Sequence, residues 1–323
     1  MGKFKVNPVL KTTKEVIKKA KDVRIDFRKV EEITKRWNKK IPLFSWPKKF
    51  HFSTNDNRKM LTYIFILDSL NFCFWSKKEA WRIFYKGKYY RGYFALSLAL
   101  KKFFKKNPEL VNFDFFSKIS FSQFSSILKG KGKLLFLKKR WEIVRELARK
   151  IMKSYSGEIE DFVSESGQRF SQLVTKVSRE LPFFEDVAFY DNKKVYFLKK
   201  AQILAADIWS AFEGKGIGYF KDPDYLTAFS DYRLPQVLSF LGILRYSPQI
   251  EYKIKNRIII SKGSSEEIEI RSATIWAVEH LKEILKKRGK KFYSFQIDWR
   301  LWDLANRISS KSYAHHLTKT IFY

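Results

Sequence analysis

At 323 residues the chain is long enough to bury a substantial core, in one large domain or in two lobes around a cleft. Its 45% hydrophobic and 17% aromatic content excludes a disordered chain, and lysines interrupt every apolar run before the roughly 18 residues of a membrane-spanning helix. The formal charge of +32 suits a phosphate-bearing partner, yet the lysines are spread along the whole length, where a dedicated nucleic-acid patch clusters them. A lysine-rich composition on solvated helix faces accounts for the charge equally well.

The single cysteine, Cys73, leaves neither an intrachain disulfide nor a cysteine cluster for zinc. The opening MGKFKVNPVL has no continuous apolar core for a secretory signal, and Val6 breaks the myristoylation pattern. The reading is cytoplasmic.

In chain order, three- and four-residue apolar spacing predicts helices near 12–22, 27–39, 57–70, 92–106, 134–155, 158–179, 199–213, 235–243 and 265–288. Asp68 is the odd member of the third, a carboxylate in an apolar run, and a structural partner is expected for it. β-Hairpins are expected where aromatic residues flank Lys86-Gly87 and where VAFY and VYFL flank Asp191-Asn192. Ser120 with Gln123 reads as a capping box, and Pro235 as a first helical residue. No repeat and no Gly/Ser/Pro linker divides the chain. The expected fold is therefore a single, mainly α-helical domain over 1–323 with small β-hairpins.

The stretch Ile64–Trp75, IFILDSLNFCFW, carries Phe72 and Trp75, whose flat faces suit either a stacked nucleobase or the core, and Asn71, which suits a base edge. His51, His280, His315 and His316 show no metal-ligand spacing. There is no phosphate-binding P-loop and no G-x-S-x-G elbow, and Gly214, Gly216 and Gly218 neither follow a strand nor open a helix, which rejects a dinucleotide fingerprint. No metal and no cofactor is expected.

The segment from Lys199 to Gln236 says most about chemistry. Lys199 follows an expected strand and opens a helix, an end where the dipole does not favour a cation, so it either reaches water or has an anionic partner. Asp231 lies just ahead of a second helix, whose free N–H groups favour its ionised form; helix capping alone explains it equally well. Arg233 could neutralise Asp231 or hold a phosphate. An amine and a carboxylate arranged this way suit cleavage of a glycosidic bond.

Taken in order, IFILDSLNFCFW, GYFALSLAL, Ser164-Glu165-Ser166, LKKAQILAADIW, LTAFSDYRLPQVLSFLG and EIEIRSATIWAVE closely resemble the queuosine 5′-phosphate N-glycosylase/hydrolase family, from about residue 8 to the final IFY. The resemblance implies a helical fold similar to helix-hairpin-helix DNA glycosylases. It also implies hydrolysis of queuosine 5′-monophosphate to queuine and ribose 5-phosphate, a small-molecule substrate with no membrane and no obligatory nucleic acid. The family's Lys-[Arg/Lys]-Ala-Gln-Ile-Leu motif falls on Lys199 to Leu204, its Asp-Tyr-Arg-[Ile/Leu/Val]-Pro-Gln motif on Asp231 to Gln236, and its Gly-Tyr pair on Gly92 and Tyr93. Near the end many relatives read HRTRTIYY; here Lys319 stands in that run as a point cation without the bidentate fork of an arginine.

On this reading Asp231 stabilises the positive charge that develops at C1′ and orients or deprotonates the attacking water. Lys199 contacts the 5′-phosphate or orders the site, or forms a Schiff base at C1′; release of ribose 5-phosphate needs only water, which favours the first. Phe72 and Trp75, with Phe52 or Tyr232, are expected to stack on the deazaguanine, and Asn71 or Glu165 to read its donor edge or the amine of its side arm. Gln236 completes the Asp231 motif. The rival readings are a helix-hairpin-helix DNA glycosylase, which salt would weaken steeply, and a non-catalytic queuine- or RNA-binding module.

Overall fold

A computed structural model describes residues 7–37, 46–308 and 313–323. Within them the chain is mainly helical, with three two-stranded antiparallel pairs. Both expected hairpins form. Tyr85 pairs with Lys88 across Lys86 and Gly87, and Tyr190 with Lys193 across Asp191 and Asn192. All four turn residues have positive φ, the requirement of a type I′ turn, whose twist matches that of the strands it joins. The third pair, Val23–Ile25 with Leu244–Tyr246, joins distant segments and has no turn to announce it.

The helix Asn57–Ser69 starts at an Asp56 cap that accepts from Lys59 N. Every residue from Met60 to Ser69 is buried, as expected of a helix that is apolar on all sides and sits at the centre of a core. Lys199–Ala211 packs against it and is almost as deeply buried. The capping box at Ser120 forms, with bonds in both directions between Ser120 and Gln123. The expected 158–179 helix is two, Ile159–Ser164 and Phe170–Glu180, because Gly167 and Gln168 both turn to positive φ. The second is capped from afar by Asp222, which accepts from Phe170 N at 2.6 Å and Ser171 N at 3.2 Å. Pro235 is the third residue of Arg233–Phe240, not the first. Helices Phe113–Lys118, Phe121–Ile127, Pro248–Lys255 and Ser294–Arg307 add to those expected from periodicity.

Two apolar clusters organise the packing. The larger is built on Asn57–Ser69, Leu137–Tyr155 and Lys199–Ala211; the smaller gathers Val30, Leu234, Val237, Leu238, Ile243 and their neighbours. The helix Ser265–Lys287 serves both, giving Ile268 and Ile275 to the first and Ile270, Ala277 and Leu281 to the second. Among the described residues no helix is long and apolar enough to cross a membrane.

Two buried guanidinium groups fix the chain around the seam between the clusters. Arg140 is wholly buried and donates to the carbonyls of Leu70, Phe72, Cys73 and Leu135. The first three lie just beyond the C-terminal end of Asn57–Ser69, the negative pole of its dipole. Burial pushes the guanidinium's pKa down to about 9, and its plane covers the Phe72 ring at 4.0 Å.

Arg271, on the long helix, makes a two-pronged bond to Asp186, at 3.0 Å to Oδ1 and 2.5 Å to Oδ2. It also reaches Glu267 at 3.4 Å and the Ser230 carbonyl at 3.3 Å, between the rings of Phe197 and Tyr323. Asp186 in turn receives the backbone N–H of Lys199 at 3.3 Å. Replacing Arg271 with Met leaves Asp186 and Glu267 buried without their cation, so Arg271→Met is expected to lower unfolding stability by about 3–5 kcal/mol. Chemical denaturation followed by tryptophan fluorescence measures this, and an unchanged midpoint at an unchanged slope would refute it.

Candidate active site

Lys199, Ile203 and Asp207 stand four residues apart on one helix, so they share a face, and all three line a cavity of about 390 Å³. The first and last of them are separated by about 12 Å along the axis. Asp231, Leu234 and Phe229 close the cavity from the segment that enters Arg233–Phe240. Asp298, Trp299, Trp302 and Asp303 do so from Ser294–Arg307, and Phe50, His51, Asn71, Tyr93 and Phe94 from the other side. The cavity therefore sits on the seam between the two apolar clusters.

Asp231 is the helix cap that the sequence allowed. Its Oδ1 caps the helix that follows, accepting from Arg233 N at 2.6 Å and Leu234 N at 3.0 Å. Both donors land on that oxygen, and among the described residues Oδ2 takes no hydrogen bond, so it remains available to the cavity. The preceding peptide is the one whose carbonyl, that of Ser230, is held by Arg271.

Lys199 is buried and points its ammonium at the Asn71 carbonyl, 3.2 Å away. Burial pushes its pKa down, while Asp231, Asp68, Asp298 and Asp186 push it back up. Its neighbour Lys200 is wholly buried, donates to the Ser69 carbonyl at 3.0 Å and lies over the Phe72 ring at 4.8 Å. The two lysines thus join Arg140 around the negative end of Asn57–Ser69. The glycine-rich turn after this helix has a packing role. A Cβ on Gly218 would lie 2.5 Å from that of Phe212, so only glycine lets the turn fold back on the helix.

Asp298 is buried and accepts from Phe229 N at 2.7 Å; burial first, then the nearby Asp231, raises its carboxyl well above the usual range. His51 is buried beside Tyr63, with Nδ1 3.1 Å from the phenol oxygen and its ring stacked 3.8 Å from that of Trp46. Burial, then the charge of Lys101, lowers its pKa to about 3, so the imidazole is neutral. Phe50, Phe94 and Trp302 form one aromatic wall, with successive ring centroids 4.3 and 5.2 Å apart.

Of the residues marked from sequence, the cavity brings together Asp231, Lys199, Asn71 and Tyr93. The others lie elsewhere. Phe72 is sealed beneath Arg140 and Lys200, Trp75 donates to the Thr318 carbonyl at 3.2 Å, and Phe52 packs on Tyr63 and Phe104. Tyr232 packs against His315 at 4.6 Å. Arg233 and Gln236 bond each other and hold the carbonyls of Ala305 and Tyr313. Glu165 is exposed and pairs with Lys176, and Lys319 is exposed on the last segment.

The aromatic residues Phe50, Phe94, Trp299 and Trp302 line the cavity, and Phe72 and Trp75 do not. Periodicity alone did not single out the four that do: Phe50 lies outside every helix, Phe94 sits in a pattern that core residues share, and Ser294–Arg307, which carries the two tryptophans, was not recognised as a helix. Asp207 was legible in principle, as a carboxylate four and eight residues beyond Ile203 and Lys199 in an otherwise apolar helix.

Comparison with known proteins places this geometry in context. The family model described as queuosine salvage protein matches residues 50–323. A protein of Sphaerobacter thermophilus named queuosine 5′-phosphate N-glycosylase/hydrolase is 39% identical over 98% of this chain and 97% of its own length. Proteins of the same name from Dictyostelium discoideum and Mus musculus are 35% and 33% identical, each over 81% of this chain and over 77% and 82% of their own lengths. The chain belongs to the queuosine salvage protein family.

Proposed function

We propose that this chain is an N-glycosidase that hydrolyses queuosine 5′-phosphate, releasing queuine and ribose 5-phosphate. The observation that carries the reading is the Asp231 carboxylate, with one oxygen committed to a helix cap and the other available, in a cavity of about 390 Å³. That volume lies within the ~300–1,000 Å³ of small-molecule sites.

Breaking an N-glycosidic bond puts positive charge on C1′ and the ring oxygen. A fixed carboxylate in a water-poor site stabilises that charge more than it would in water, and its free oxygen can take a proton from the attacking water. The cap bonds prevent Asp231 from turning away, so the arrangement requires little reorganisation during the reaction. Queuine is a 7-deazaguanine whose position 7 is carbon, which removes the usual purine route of protonation at N7 and puts more weight on stabilising the sugar cation. The wall of Phe50, Phe94 and Trp302 suits a flat base, and Asp298, with one oxygen accepting from Phe229 N, can turn its other oxygen to a polar group on the base's edge. Lys199, held by the Asn71 carbonyl and surrounded by carboxylates, fits the role of an ordering cation beside Asp231.

Purified protein incubated with queuosine 5′-phosphate and read by mass spectrometry is expected to release free queuine. Asp231→Asn is expected to lower kcat on the order of 10²–10³-fold, the loss typical of one transition-state electrostatic group, with substrate affinity retained. Near-normal turnover in that variant would refute the assignment. Borohydride added during turnover is expected to trap no adduct at Lys199, since water is the nucleophile; a reduced covalent sugar there would reverse that role.

A further inference from the structure

Asp68 and Asp207 meet inside the protein. Asp68 is completely buried, and among the described residues neither of its oxygens takes a hydrogen bond from an N–H or O–H donor. The helix that carries Asp207 packs against the one that carries Asp68, and after burial the Asp207 carboxyl is the acidic group that raises the pKa of Asp68. Two neighbouring carboxyl groups held away from water do not both ionise, so one of them is protonated. The pair has an inner and an outer member. Asp68 sits on the central helix with no access to the cavity, whereas Asp207 lines the cavity and receives the Tyr93 hydroxyl on Oδ2 at 3.2 Å. The charged and titratable groups facing the pair are the ammonium groups of Lys199 and Lys200 and the hydroxyls of Tyr63 and Tyr93. Asp231 and Asp298 face Lys199 from across the cavity.

We infer that Asp68 and Asp207 together store one proton, and that Asp207 delivers it to the departing base. The inference rests on the hydrolase reading above and extends it, because a deazaguanine leaving group cannot be activated at N7 and still needs a proton. In the step proposed, the C1′–N bond breaks and its electron pair stays on the base, which takes the proton from Asp207 at a ring nitrogen. A water oxygen bonds C1′ and its proton passes to Asp231. As products leave, Asp231 gives its proton up to solvent and the pair regains one, so the balance is nucleotide plus water to base plus ribose 5-phosphate.

The electrostatics agree with this division of labour. Burial raises both carboxyls, Asp207 to about 7 and Asp68 well above the usual range, so the pair keeps a proton through neutral pH. Tyr93 works against that retention, since its hydroxyl stabilises ionised Asp207. Activity that needs the stored proton is lost as pH rises far enough to remove it.

The test is the alkaline limb of the kcat–pH profile on queuosine 5′-phosphate, read in three near-isosteric variants. Asp207→Asn is expected to lower kcat by ~10²–10⁴-fold, the usual contribution of a general acid, with KM changed far less. Asp68→Asn removes the higher of the two acids and leaves Asp207 to hold the proton alone, so the limb should move to lower pH by about one unit or more. Tyr93→Phe removes the hydroxyl that favours the ionised form, so the limb should move to higher pH. A merely structural role for the pair would shift neither limb. The inference fails if Asp207→Asn keeps wild-type kcat, or if Asp68→Asn and Tyr93→Phe leave the limb in place or move it in the same direction. Tyr93→Phe keeps the test available should either aspartate variant not fold. Absence of base release by the wild type would instead overturn the hydrolase reading itself.

Discussion

The ion pair between Arg271 and Asp186 is the constraint on which the site depends. It is buried on both sides, so its attraction must first offset the removal of two charges from water. What it secures is position. One guanidinium holds the carbonyl immediately before Asp231, and the carboxylate it pairs with holds the first N–H of the helix that begins at Lys199. The two residues best suited to sugar chemistry come from segments some thirty positions apart, and a single charged pair sets both backbones. Rings of Phe197 and Tyr323 cover the guanidinium, so the last residue of the sequence is part of the same support.

A second theme is how a dry interior tolerates so many ionisable groups. Arg140, Lys199 and Lys200 all point at backbone carbonyls around the end of the central helix. The dipole of that helix favours cations there, and the carbonyls would otherwise be left without donors. On the acid side, Asp298 is bonded to a backbone N–H and Asp231 to two, and Asp68 has Asp207 for a neighbour. Charges that look misplaced in an apolar sequence are therefore paired with backbone poles or with each other. The aromatic residues 72–75 owe their place to this scheme, since Phe72 covers both Arg140 and Lys200.

Much of the fold was legible because its signals are local. The Lys86-Gly87 and Asp191-Asn192 turns dictate their hairpins, Ser120 and Gln123 cap their own helix, and an unbroken apolar run makes Asn57–Ser69 the centre of a core. What escaped depends on distant partners. The Val23–Ile25 and Leu244–Tyr246 pair has no connecting turn, and the break before Phe170 relies on Asp222 more than fifty residues away. The same distinction runs through the site. Lys199 stood out because it places a cation at a helix start against the dipole, and Asp231 because it stands just ahead of another helix start. Phe72 and Trp75 do not line the cavity; aromatic residues in an apolar stretch look the same in sequence whether they line a cavity or fill a core. The residues that do form the aromatic wall, Phe50, Phe94 and Trp302, come from three separate segments and meet only in the folded chain.

Catalysis by Asp231 depends on where the sugar lies. A crystal structure of Asp231→Asn with intact queuosine 5′-phosphate measures this directly, because the variant should bind without turning over. The account predicts C1′ within about 3.5 Å of the side chain at position 231, the separation of groups poised to react, with the base against the wall of Phe50, Phe94 and Trp302. A nucleotide bound the other way round, with its phosphate or base at position 231 and C1′ out of contact, would contradict it.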